Sequence, residues 1–121
     1  MGESGNDNLL RVVRANDRKT QIPAGGDGHY EFAPLSHSDG RAAANAIIVQ
    51  FNEQAIVSKE VFHGGHEMFF VLSGVVELLF GARTIRLEKG DFVEFPGLVR
   101  HQIRGVEPNT SILVVVTDQD A

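Results

Sequence analysis

The chain has 121 residues, a formal net charge of -5 and 42% hydrophobic residues, which suits one compact domain able to bury a core without disulfide or metal staples. It contains no cysteine, so disulfide frameworks, thiolate zinc sites and catalytic thiols are excluded. Mild acidity without a Lys/Arg cluster argues against nucleic acid as a partner, because such binding needs a basic face.

Taken in chain order, residues 1–8 are polar and Gly-rich and read as a disordered tail. They offer no apolar h-region of a signal peptide, and Asn6 stands where a myristoylation motif wants Ser or Thr. No apolar run approaches transmembrane length, so no membrane association is expected and the default location is the cytoplasm. Residues 9–121 read as a single domain. Short apolar runs then alternate with turn signals, which is the all-β pattern. Strands are expected at 10–14, 30–35, 46–52, 68–72, 75–80, 84–87, 92–95, 101–104 and 111–117, rich in the β-branched and aromatic residues that suit a pleated surface.

The reversals are equally regular. Gly81 and Ala82 separate two strand-like runs, and Gly first in a two-residue loop suits a type II′ hairpin. Lys89-Gly90-Asp91, Pro96-Gly97 and Glu107-Pro108-Asn109 mark further turns. Only Ala42-Ala43-Ala44 looks helical, and it runs directly into Ile47 and Ile48. A closed or sandwiched antiparallel sheet, here a single antiparallel β-barrel, best hides the edges of so many short strands. An open barrel edge invites pairing, so a homodimer is expected, with 10–14 and 20–22 as strands that cover a partner's sheet.

The most polar insertion in the apolar middle of the chain is Phe62-His63-Gly64-Gly65-His66-Glu67. In extended backbone, residues an even number apart share a face, so His63 and Glu67 point one way and His66 the other. His101 shares a face with Ile103, while Arg100, Gln102 and Arg104 take the opposite, charged one. Two imidazoles and a carboxylate form a set suited to a divalent transition metal such as Fe, Ni, Zn or Mn, with positions left open for water or substrate. The plainer alternative is that a His beside a Gly-Gly turn is a solvated loop residue. The phenylalanines at 62, 69, 70, 80, 92 and 95 are expected in the core, some of them lining a pocket.

From about Glu60 to Val116 the chain resembles the cupins. Their first motif reads His, three residues, Glu, six residues, Gly, and His63, Glu67 and Gly74 stand at those places. Their second reads Gly, five residues, Pro, then His five further on, and Gly90, Pro96 and His101 fit. The resemblance implies a double-stranded β-helix of jelly-roll type, with a metal held by His63, Glu67 and His101. The family's first His is replaced by Val61, which cannot coordinate; Leu98 and Gly105 stand where the second motif usually has Gly and Asn. His66 is a substitute ligand that parity disfavours.

Upstream, Arg11-Val12-Val13-Arg14-Ala15 and Tyr30-Glu31-Phe32-Ala33-Pro34-Leu35 resemble the lead-in to the cupin sensor domain of helix-turn-helix regulators, although no segment before the barrel in this sequence is expected to form a helix-turn-helix. That subgroup commonly lacks the first His. It also resembles the iron epoxidase of fosfomycin biosynthesis, whose His-Glu-His site has the same His-to-Glu spacing. The resemblance therefore implies a stand-alone cupin that binds a small molecule, with a divalent metal and no organic cofactor. The alternative is a mononuclear metal enzyme, an Fe(II) dioxygenase or epoxidase in type, or an isomerase. An interaction module without a metal is the third reading.

Overall fold

The computed structural model describes residues 10–22, 30–36, 44–51, 55–56 and 65–117. Among these residues nine strands follow one 3₁₀ turn at Ala15–Asp17: β1 (Tyr30–Pro34), β2 (Ala44–Phe51), β3 (Ala55–Ile56), β4 (His66–Ser73), β5 (Val75–Phe80), β6 (Arg83–Glu88), β7 (Phe92–Pro96), β8 (His101–Gly105) and β9 (Thr110–Thr117). They form two antiparallel sheets, one ordered β1-β2-β9-β4-β7 and the other β3-β8-β5-β6. Hydrogen-bonded pairing does not run continuously from one sheet to the other among the described residues. The all-β fold is thus a two-sheet jelly roll. Among the same residues no helix is long and apolar enough to cross a membrane.

Alternation builds the core. Val49 and Phe51 of β2, Phe69 and Val71 of β4 and Ile112 and Val114 of β9 face Val76 and Leu78 of β5, Leu87 of β6 and Ile103 of β8. Their even spacing within each strand is the period of the pleat. Gly105 lets the sheets come together, because a Cβ there would lie 2.7 Å from the Phe51 Cβ.

The turns follow the local chemistry. Phe80 pairs with Arg83 across Gly81 and Ala82. Gly81 has φ of 59° and Ala82 is not in the positive-φ region, as a type II′ turn requires. The Asp91 amide donates to the Glu88 carbonyl at 2.8 Å, and Gly90 has φ of 90°, the geometry of a type II turn. Gly74, with φ of 76°, turns β4 into β5 against the fully buried Thr110, whose hydroxyl accepts from the Val75 amide and donates to the Glu107 carbonyl.

Three expectations need correction. Residues 10–14 are not a strand: after them the chain closes a 3₁₀ turn, with the Asp17 amide on the Arg14 carbonyl, and Arg11 donates to the Leu35 carbonyl. Near 20–22 the pairing is with this chain's own β1, through a bridge from Gln21 to Phe32. Phe70 and Phe92 are not core residues, being 38% and 53% exposed. Each sits on the outward phase of its strand, and they pair with one another. The tail at 1–8, Val61, Phe62 and His63 lie outside the described residues.

Candidate metal centre

β4 and β8 belong to different sheets, and each presents one polar side chain to the interior. In β4 the buried positions are Glu67, Phe69 and Val71; in β8 they are His101, Ile103 and Gly105. Glu67 is 7% exposed and His101 2%. His101 Nε2 lies 2.9 Å from Glu67 Oε1, so this contact bridges the two sheets. The sequence expectation that His101 shares its face with Ile103, and that Gln102 and Arg104 face away, matches this burial.

The second ring nitrogen fixes the chemistry. His101 Nδ1 lies 2.7 Å from the Val99 carbonyl oxygen. A carbonyl only accepts, so Nδ1 carries a hydrogen and Nε2 is the atom turned toward the carboxylate. A proton then has to sit between Nε2 and Oε1, because two facing lone pairs would repel. Burial lowers the proton affinity of His101, but the hydrogen bond to Glu67, the bond to Val99 and the carboxylate charge together outweigh it. The imidazole therefore titrates above its ordinary value of 6.5.

Aromatic rings wall the pair. The Phe95 ring centroid lies 4.7 Å from that of His101, Phe80 packs on Phe95 at 5.0 Å, and Phe69 meets Phe95 edge-on at 5.6 Å. Phe95 is the cross-strand partner of Glu67, and Phe80 that of His101, so the register brings all four to one end of the sheets. The role of the Val99 carbonyl had no sequence signal, since every residue has one.

His66 opens β4 on the outward phase with Met68 and Phe70 and pairs with Pro96 and Thr117. Gly65, with φ of 89°, makes the bend just before it, and its carbonyl accepts from the Gly97 amide at 2.8 Å. Glu67 and His101 are thus brought together and His66 is not. Among the described residues no group of three His, Cys, Asp or Glu side chains is arranged to hold a metal ion.

The cupin-domain family model matches residues 47–117, more than half of the chain. This chain belongs to the cupin family. The match spans both motif segments of this cupin, from β2 to β9. No curated protein matches it by sequence. Among solved structures the cupin resembles KdgF from Halomonas sp., at 16% identity with a TM-score of 0.74, covering 88% of this chain and 93% of that one. It resembles FeII HppE at 17% identity and a TM-score of 0.75, over 91% and 62% of the two chains. It also resembles the cupin domain of an XRE-family transcriptional regulator from Enterobacter cloacae, at 17% identity and a TM-score of 0.68, over 75% and 98%. These likenesses are of fold.

Proposed function

We propose that this cupin binds a small molecule between its two sheets through a divalent transition metal held by His63, Glu67 and His101. The observation that carries the reading is the buried contact of Glu67 Oε1 with His101 Nε2, made while Nδ1 is committed to Val99. A carbonyl-anchored imidazole is oriented in the tautomer that ligates through Nε2, which is how metal-bound histidines are commonly held. The position now needing a shared proton is one that a cation satisfies with more donors. His63, three residues ahead of β4, supplies the third donor in this reading, and Val61 contributes none.

Such a metal, with open positions, would polarise a bound oxygen or activate water. The chain's own groups do the rest: Glu67 offsets the ion's charge, Val99 holds the ring, and Phe80 and Phe95 keep water away from it. The enzymatic reading, an Fe(II) oxidoreductase or an isomerase, uses the same donors. The likeness to FeII HppE supports it at the level of fold, so ligand binding comes first.

Elemental analysis after loading with Fe(II), Ni(II), Zn(II) or Mn(II) tests this. Wild-type protein should retain a single ion per chain, and His101→Ala and Glu67→Gln should each lose at least about tenfold in retention, the effect of removing a ligand's support or more. A wild-type protein that retains none of the four overturns the reading.

A further inference from the structure

The four-stranded sheet treats the arginines of its two faces differently. On the outer face Glu77 pairs in register with Arg86 and Arg104 and accepts from Arg104 Nε at 2.8 Å, while Arg86 bonds Glu88 at 3.2 Å. Each of these cations has a carboxylate beside it, as cross-strand charge pairs on a water-facing sheet do. Arg83 belongs to the other face. In β6 the residues packed into the core are Ile85 and Leu87, and Arg83, two places before Ile85, shares their phase. Its cross-strand partner is Phe80, whose ring packs on Phe95 between the sheets. Arg83 is exposed, and among the described residues it takes part in no ion pair.

The register carries this cation to the end of the sheets that holds the buried pair. Phe80 pairs with Arg83 on one side and with His101 on the other, so one inner row crosses β6, β5 and β8. Two strand spacings separate Arg83 from His101, about 10 Å from backbone to backbone. The facing row of the other sheet is Asn45, Val116, Glu67 and Phe95. Phe80 and Val116 are half-buried and Phe95 is buried, so the surface around Glu67 and His101 is apolar. Polar groups return at the two rims, as the exposed, uncharged Asn45 and the exposed Arg83. Among the described strand residues, Arg83 is the one Arg or Lys on an inner phase.

We propose that Arg83 selects the charge of the molecule bound between the sheets, and that this ligand is a small carboxylate with an apolar, ring-sized body. Its carboxylate meets the Arg83 guanidinium, whose planar fork matches two carboxylate oxygens. Its body lies on Phe80, and an oxygen at its other end reaches Glu67 and His101. Covering an unpaired guanidinium costs solvation that an anion offsets and a neutral molecule of the same shape does not. Arg83 is thus a specificity-determining residue, and the carboxylate its outer-face counterparts find within the chain comes here from the ligand. The inference rests on the small-molecule reading of the site given above, but not on its metal.

Isothermal titration of the full chain with 4-hydroxybenzoate and with its neutral counterpart 4-hydroxybenzamide tests it. Wild type should bind the acid at least about tenfold more tightly than the amide, the effect of one charge-assisted pair. Arg83→Gln should erase that preference while its affinity for the amide stays within about threefold of wild type. Arg83 is exposed, so circular dichroism and metal retention of that variant should match wild type. Arg86→Gln, on the outer phase of the same strand, should keep the preference. Equal loss in both variants would trace the effect to net charge and overturn the proposal. A wild type that binds neither probe, or both equally, overturns it as well, as does an Arg83→Gln variant that still prefers the acid. A wild type that retains no metal ion yet prefers the acid through Arg83 sinks the metal reading and supports this one.

Discussion

Glu67 and His101 form a pair whose proton and whose metal compete for one place. In metal-free protein, His101 has its affinity for a proton raised by the fold. A raised histidine value stabilises the folded state fully below the unfolded value of about 6.5, and the contribution is lost as pH climbs through the folded value. Urea midpoints of metal-free protein should therefore fall as pH rises above the ordinary histidine value of 6.5, and Glu67→Gln should flatten that slope. Metal affinity should run the opposite way, rising with pH, because ligation displaces the proton. Isothermal titration at two pH values checks the sign.

Two glycines separate backbone strain from crowding. Both Gly74 and Gly90 have positive φ, yet a Cβ at Gly90 meets nothing within 4 Å while one at Gly74 would lie 2.0 Å from the Thr110 hydroxyl. Gly90→Ala should cost about 1 kcal/mol, the conformational term alone. Gly74→Ala should cost about 3 kcal/mol, since the buried Thr110 bonds to Val75 and Glu107 must also give way. Chemical denaturation of the two variants measures the difference.

At the scale of elements, alternation made most of the strands legible. The inward phase of β8 follows from Gln102 and Arg104 at its alternate places, and the Gly81 and Gly90 turns from their glycines, whereas apolar residues occupy both phases of β4 and β9. Three things were not legible in the same way. The 10–14 run has β-branched residues, but the Arg11 bond to the Leu35 carbonyl and the Ala15–Asp17 turn hold it in place of a ladder. Strand β3 is two residues long, too short to show a period. Phe70 and Phe92 are apolar on the outer phase, so hydrophobicity pointed to the core and parity pointed away; parity prevailed.

Gly105 is an element-scale fact too. Where the family pattern usually has Asn, this chain packs the Phe51 ring against a bare Cα, joining β2 of one sheet to β8 of the other. Gly105→Ala should cost about 1–3 kcal/mol by overpacking, seen as a lower urea midpoint.

For the whole molecule, the cupin fold and the meeting of Glu67 with His101 were readable from two motifs and strand parity. The third donor was readable only as a residue type at a spacing, because glycines at 64 and 65 permit backbone without the parity that orders the strands, and His63 lies outside the described residues. The rival donor, His66, is held on the outer phase of β4 beside Pro96 and Thr117. The proposed centre therefore turns on which histidine joins the buried pair. Isothermal titration of metal-free wild type, His63→Ala and His66→Ala with Co(II) or Zn(II) decides it. Wild type and His66→Ala should bind a single ion with equal affinity, and His63→Ala should bind at least about tenfold more weakly. Equal binding by His63→Ala and wild type, or loss of binding in His66→Ala alone, would contradict the proposed centre.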